Sequence, residues 1–169
     1  MSTADIIVRL LAATAAGGVL GLNRKLRGKS AGLRTHCLVS LGSALAVLTA
    51  DLVSNNSPHP DPTAVTRAIQ GIVAGIGFLG AGAILKSGAP ESGEVRGLTT
   101  AATLWLAATL GIACGAGYWI PTVVAVVLAL IVLVVGGPLE TSVRRNVDDR
   151  WPNRRDGHVE PPSDGEREE

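Results

Sequence analysis

The stretch GIGFLGAG, residues 75–82, contains three glycines with the spacing G-x-G-x-x-G, a pattern found in cofactor-binding loops. In a dinucleotide-binding fold these glycines join a strand to a long helix. Here the sequence becomes polar and turn-rich soon after the last glycine, so no crossover helix can follow. The phosphate-loop pattern also fails, because Leu85 rather than a glycine precedes Lys86. We therefore predict no nucleotide site at these glycines.

Residues able to act as nucleophiles, general bases or metal ligands are few and scattered. Cys37 and Cys114 are far apart in the sequence, and a structural zinc site needs about four ligands. His36 stands alone, and the apolar segments contain no dense group of carboxylates of the kind that encloses Mg²⁺. The basic segment 23–36 lacks interleaved aromatic residues. We expect no enzyme activity, no cofactor, no metal site and no nucleic-acid binding.

Two charged residues, Arg9 and Asp51, interrupt otherwise apolar segments and are the first candidates for function. Charged side chains within a bilayer are costly, and by default they mark functional positions. Arg9 lies near the start of the first apolar segment and Asp51 near the end of the second, so both should lie at a similar depth. We predict an Arg9–Asp51 ion pair, with Arg67 as the competing partner. The pair either fixes helix packing or provides a carboxylate that handles ions or protons.

A second group of polar candidates lies where the apolar segments meet the basic loops. Arg34 and Arg96 lie beside glycines at predicted helix starts, and helix N-termini and guanidinium groups both attract phosphate or carboxylate. We expect either an anion site for a lipid phosphate or a protein carboxylate such as Glu94, or simple anchoring to headgroups. The group comprises Asn23, Arg24, Arg34, Thr35, His36, Lys86, Arg96, Thr99 and Thr100.

Five apolar segments must position these side chains. Each has a length that spans roughly 26–29 Å as a helix, close to the thickness of the hydrocarbon core of a bilayer. The sequence therefore predicts an all-α polytopic membrane helix bundle with five transmembrane helices. The predicted helices are 6–22, 37–53, 68–85, 98–116 and 119–135.

The basic residues predict the orientation and the domain boundary. Of the 15 Lys and Arg residues, 13 fall in the segments 23–36 and 86–97 and in the tail. The positive-inside rule places these segments in the cytoplasm, with the N-terminus outside and the C-terminus cytoplasmic. The first segment lacks the basic start of a signal peptide and is predicted to be retained. We predict a transmembrane domain over 1–137 and a disordered polar cytoplasmic tail over 138–169.

Glycines in the third apolar segment indicate close helix packing. Small residues let membrane helices approach closely. Three of these glycines lie within about 40° of one another around the helix, and the other two lie toward the opposite side. We therefore predict that helix 3 is central, with packing surfaces that serve this chain alone or also a partner. The packing glycines are Gly71, Gly75, Gly77, Gly80 and Gly82.

Three motifs in order, AGLRTH (31–36), GIGFLGAGAI (75–84) and VRGLTTAATLW (95–105), resemble the MgtC/SapB family of bacterial inner-membrane proteins. The resemblance implies a five-helix domain in the bacterial cytoplasmic membrane, a link to growth in low magnesium and to survival in host cells, and regulation of other membrane proteins including the ATP synthase. Asn23 stands where members commonly have Glu. MgtC-like members carry a folded cytoplasmic domain, whereas polar residues 138–169 follow here, so the SapB-like description fits better.

These observations predict a regulatory membrane protein linked by resemblance to magnesium homeostasis and virulence. We expect it to contact the lipid bilayer and to act on other membrane proteins through helix–helix contacts. A homo-oligomer is an open alternative. The other alternative is a small-ion channel or secondary transporter that uses Arg9, Asp51 and the cytoplasmic arginines. A water-wide polar path between helices would favour transport, and a sealed bundle with an exposed glycine face would favour association.

Overall fold

The computed structural model describes residues 1–86 and 97–148, with side chains described up to residue 85 and over 97–137, and over these ranges it is all-helical. Each of the five helices contains an apolar stretch long enough to cross a bilayer, which confirms the predicted fold class. The helices are α1 (Thr3–Leu26), α2 (Leu33–Asn55), α3 (Ala64–Lys86), α4 (Leu98–Gly115) and α5 (Trp119–Asp148).

The chain divides into two units, Met1–Leu133 and Val134–Glu169. The first unit contains α1 to α4 and most of the apolar part of α5. Of the second unit, the structure describes the helical residues 134–148, so α5 extends past the predicted boundary at residue 137. The rest of the predicted tail, 149–169, lies outside the described residues.

Local sequence fixes both ends of α1. The Ser2 hydroxyl accepts a hydrogen bond from the Asp5 backbone N–H (3.1 Å), which caps the N-terminus. At the other end Gly28 adopts φ +65°, a left-handed conformation that glycine tolerates without steric cost. The Gly28 N–H then reaches Lys25 O, and the Lys29 N–H reaches Arg24 O, each at 3.1 Å. This paired arrangement is a Schellman motif, and it turns the chain sharply toward α2.

Helices α1 and α4 both pack closely on α2, at neighbouring positions that meet at Ser40. A methyl group at Gly21 would lie 2.7 Å from Leu33 Cα, and one at Gly115 would lie 2.7 Å from Ala44 O. Methyl groups at Gly17 and Gly111 would overlap backbone carbonyls of α2 even more closely. These glycines therefore bring helix backbones into direct contact, the packing mode that membrane helices favour.

Two apolar clusters form the core of the first unit. One cluster joins α1, α2, α4 and α5 around fully buried Leu20 and nearly buried Leu110, with Ala129 as the contribution of α5. The other joins α3 and α4 through Ile76, Leu104 and Ala108. Interdigitation of these mostly small side chains leaves α2 and α4 as the helices with the most neighbours.

The prediction that α3 is central is wrong. Methyl groups at Gly71, Gly75, Gly77 and Gly82 would meet no atom of the described residues within 4 Å, and one at Gly80 would meet only the Ala101 side chain at 3.5 Å. The glycines of α1 and α4 occupy the close-packed positions instead. Small residues allow a neighbouring helix to approach closely, but they do not determine which helix becomes that neighbour.

Candidate functional site

Arg9 connects the start of α1 to the end of α4. Arg9 Nε and Nη2 contact the Asp5 carboxylate at 3.2 and 3.1 Å, respectively. Arg9 Nη1 donates a hydrogen bond to Gly115 O at 2.8 Å. Gly117, at φ +80°, leaves room for the guanidinium, since a methyl group there would lie 3.0 Å from Arg9 Cζ. The bond to Gly115 O joins α1 to α4, and the contacts with Asp5, on the same helix, orient the guanidinium for that bond.

The predicted Arg9–Asp51 ion pair is wrong. Asp51 accepts a hydrogen bond from Asn55 one turn later (3.0 Å), while Arg9 pairs with Asp5 one turn earlier on its own helix. Residues four apart on a helix are neighbours, so each polar side chain finds a local partner. The competing candidate Arg67 pairs with Asp61 in the loop before α3.

Asp61 organises that loop. Its carboxylate accepts hydrogen bonds from the Thr63 N–H (2.8 Å) and the Thr63 hydroxyl (2.7 Å), and its backbone bonds to the Ser54 hydroxyl. The bonds from Thr63, followed by the Arg67 guanidinium, lower the pKa of Asp61 below its ordinary value. This group ties the end of α2 to the start of α3.

At the other end of the bundle, polar side chains are buried between α1, α2 and α4. Arg24 is 3% exposed, and one of its terminal nitrogens donates to the Thr100 hydroxyl at 2.8 Å. His36 is fully buried, with Nδ1 2.9 Å from Gly32 O, and Ser40 is fully buried one turn further along α2. Chemically, the group offers a fixed positive charge beside neutral donors and acceptors.

Four buried polar atoms of this group have no hydrogen-bond partner among the described residues. They are Asn23 Oδ1, Arg24 Nε, His36 Nε2 and Ser40 Oγ. Buried polar groups are normally paired with protein or with ordered water, so these atoms suit one or more internal waters. Sequence reasoning missed Ser40, although the spacing of His36, Ser40 and Ser43 places three polar residues on one face of α2.

Of the predicted cytoplasmic group, the structure brings Arg24 together with Thr100 and buries Asn23 Oδ1 without a partner among the described residues. Thr99 is exposed at the start of α4. Arg34 and Thr35 are exposed at the start of α2, apart from the buried group. Two other predicted members, Lys86 and Arg96, and the expected carboxylate partner Glu94 lie outside the described residues or side chains.

Arg34 and Thr35 instead line a cavity of about 500 Å³ at the α1–α2 connection. The cavity has three cationic side chains, and the described residues supply no carboxylate for them, because the ion pairs found there are Arg9–Asp5 and Arg67–Asp61. The lining residues are Lys25, Lys29, Ser30, Gly32, Leu33, Arg34 and Thr35.

The exposed surfaces of α3 and α5 differ in character. Exposed residues of α5 within the first unit are bulky and aliphatic, as at Ile120 (79% exposed) and Val132 (68%). One exposed side of α3 consists of Ala74, Gly77 and Ala81 with the amide of Gln70, although bulky side chains such as Phe78 (83% exposed) and Leu85 (80%) are exposed elsewhere on this helix. A surface of branched aliphatic side chains suits lipid tails, whereas a surface of small residues suits another helix.

Within residues 1–85 and 97–137, whose side chains the structure describes, no three His, Cys, Asp or Glu side chains come close enough together to hold a metal ion. The polar features described above are the Arg9 and Arg24 hydrogen bonds between helices, the buried polar group, and the cationic cavity at the α1–α2 connection.

Comparison with known proteins gives a consistent result. The family model described as the MgtC family matches residues 10–142. SrpB of Synechococcus elongatus is 47% identical over 118 residues, which cover 66% of this chain and 63% of SrpB. MgtC of Brucella abortus is 46% identical over 123 residues, which cover 73% and 48%. An Escherichia coli K12 protein named "Putative magnesium transporter YhiD" is 40% identical over 138 residues, which cover 79% of this chain and 61% of that protein.

The matched part of this chain thus covers from 48% to 63% of the length of these three relatives. No solved structure matches the chain.

Proposed function

The chain belongs to the MgtC family, and from this premise we propose that it regulates other membrane proteins through helix–helix contacts made by α3. It is a multi-pass membrane protein, and the bacterial cytoplasmic membrane is its proposed location. The magnesium transporter name of one relative supports a role in magnesium homeostasis, which is part of the proposal.

The observation that carries the proposal is the bare surface of α3. Gln70, Ala74, Gly77 and Ala81 follow helical spacing along one side of the helix, and all are exposed. Close helix contact depends on van der Waals packing between backbones, for which glycine and alanine leave room. The Gln70 amide adds a hydrogen-bonding group where lipid tails offer no partner.

The tight core supports regulation over transport. Gly17 and Gly111 hold α1 and α4 against the backbone of α2, so these interfaces have no room for a file of water molecules. One observation favours the second candidate function, small-ion transport: the buried polar side chains of Arg24, His36 and Ser40 between the same helices. Buried polar groups in membrane helices often mark ion or proton pathways.

A photocrosslinking experiment tests the leading proposal. A photoreactive amino acid is placed at Ala74 on α3 or, as the matched control, at Val127 on the exposed aliphatic surface of α5. We expect protein adducts from position 74 and lipid adducts alone from position 127. Growth in low magnesium should fail with Gly77→Leu and persist with Val127→Leu. The absence of protein adducts at position 74, together with normal growth of both leucine variants, would contradict the proposal.

Reconstitution in liposomes distinguishes the transport alternative. The leading proposal predicts no Mg²⁺ or H⁺ flux above that of protein-free vesicles. Flux that is abolished by Ser40→Ala or Asp51→Asn, and retained in Gly77→Leu, would replace regulation with transport as the function.

A further inference from the structure

The cationic cavity at the α1–α2 connection carries an inference that is independent of α3 and its partners. We propose that this cavity binds the phosphate group of an anionic ligand, supplied by a lipid headgroup or by a free phosphate. The cavity is assembled from the last turn of α1, the connecting loop and the first turn of α2.

Three positive charges share this cavity. Lys25, Lys29 and Arg34 line one space of about 500 Å³, and neither ion pair of the described residues involves them. Three cations that share one concavity repel one another, and an anion bound among them would relieve this repulsion. An arginine and two lysines are also the residues that recognise phosphate, the first by paired hydrogen bonds and the others as point charges.

The backbone of the loop brings the residues that carry these charges close together. The Schellman motif at Gly28 holds Lys29 against the end of α1 through the bond from its N–H to Arg24 O. Gly32 provides a bare surface for the Lys25 stem, because a methyl group at Gly32 would lie 3.5 Å from Lys25 Cβ and Cδ. The stem of Lys25 therefore runs alongside the start of α2.

The start of α2 supplies hydrogen-bond donors to the same cavity. The first backbone hydrogen bond of α2 runs from the His36 N–H to Gly32 O (3.2 Å), so the N–H groups of residues 33–35 precede it. Gly32 provides no side-chain cap, and the first turn contains no acidic residue. The Ser30 and Thr35 side chains, which also line the cavity, add hydroxyl groups.

Size and position define the ligand class further. A space of about 500 Å³ exceeds a lone phosphate ion and falls within the range of sites for substituted small molecules. The cavity lies between two membrane-spanning segments, Thr3–Leu26 and Leu33–Asn55, and therefore at a bilayer surface. Leu33, which is 43% exposed, gives one wall an apolar character that suits the glycerol end of a lipid.

The test uses the full-length protein in phosphatidylcholine nanodiscs. Retention of phosphatidylglycerol against phosphatidylcholine is measured by native mass spectrometry, and inorganic phosphate is titrated separately with ³¹P line broadening as the readout. The variants are Lys25→Gln, Lys29→Gln and Arg34→Gln, alone and together. Arg27→Gln is the matched control, because Arg27 is in the same loop and carries the same charge but does not line the cavity.

We expect each single variant to weaken phosphatidylglycerol retention about fivefold, since one basic side chain near a membrane surface contributes about that factor. The triple variant should lose the preference for phosphatidylglycerol, while Arg27→Gln keeps it. Phosphate broadening that depends on the same three residues, without lipid preference, would support the site with a free phosphate as its source.

Equal losses in Arg27→Gln and in the cavity variants would overturn the proposal, because they would show a general effect of charge. Wild-type retention and broadening in the triple variant would overturn it as well. If the triple variant does not fold, as judged by circular dichroism, the three single variants decide, since each keeps two of the three charges.

Discussion

Arg9→Met removes the tie between α1 and the α4–α5 turn while keeping an apolar stem of similar length. The hydrogen bond from the guanidinium to Gly115 O has a length of 2.8 Å and comes from a side chain that is 19% exposed. Hydrogen bonds from charged groups contribute about 1.5–3 kcal/mol. The contact with Asp5 adds at most about 0.5 kcal/mol, because Asp5 is 36% exposed and the pair is screened. We expect a loss of about 2–3.5 kcal/mol in the free energy of unfolding.

Two control variants separate these contributions. Asp5→Asn removes only the ion pair and should cost about 0.5 kcal/mol. Arg67→Met removes a different arginine, whose side chain is 66% exposed and whose partner is Asp61, and should cost less than about 1 kcal/mol. The assay is reversible unfolding by SDS titration in micelles, followed by far-UV circular dichroism. If Arg9→Met costs no more than Arg67→Met, the hydrogen bond to Gly115 does not hold these helices together.

Three further predictions use the same unfolding assay. Gly111→Ala should destabilise the protein by about 1–3 kcal/mol, because its methyl group overlaps the backbone of α2; Gly77→Ala, which has open space, should leave stability within about 0.5 kcal/mol of wild type. Thr100→Val should cost about 1–3 kcal/mol, because the buried Arg24 guanidinium loses its hydroxyl acceptor, and Thr100→Ser should restore stability. Asp61→Asn should be less stable than wild type near neutral pH, since the folded state lowers the pKa of Asp61 and so favours the carboxylate; the difference should shrink as the pH falls through and below the ordinary value of 3.8, and a constant difference would contradict it.

The five helices are readable from the sequence because the bilayer sets one dominant requirement, a long uncharged segment. Helix neighbours are not readable in the same way. The glycines of α1 and α4 do form close contacts, and they meet α2 at positions that include the small residues Ser40 and Ala44, although small residues are just as frequent in α3. Which helix fills a small-residue surface depends on the carbonyls and side chains opposite it, such as Ser40 and Ala44, and these become known only in three dimensions.

The polar sites were likewise only partly predictable from the sequence. Sequence reasoning placed Arg9 and Asp51 at one depth, but depth leaves the angle around each helix undetermined, and Asp5 and Asn55 are nearer partners along the chain. Arg24 and Thr100 were predicted as members of one group because both lie at segment ends on the same side. Ser40 was missed because a lone serine in an apolar segment resembles a neutral spacer.

Helix α4 packs directly against α2, although α3 lies between them in the sequence. Gly111 and Gly115 of α4 fill a surface of α2 formed by the carbonyls of Ser40 and Ala44. During translation α2 emerges first, and the whole of α3 follows before α4 exists. Within the α1–α2 hairpin, Gly17 and Gly21 already pack on His36, so the surface that stays uncovered until α4 is made is the one around the Ser40 carbonyl and Ala44. The glycines of α3 meet almost no atom of the described residues, so α3 leaves the α2 surface around Ser40 and Ala44 to the later helix α4.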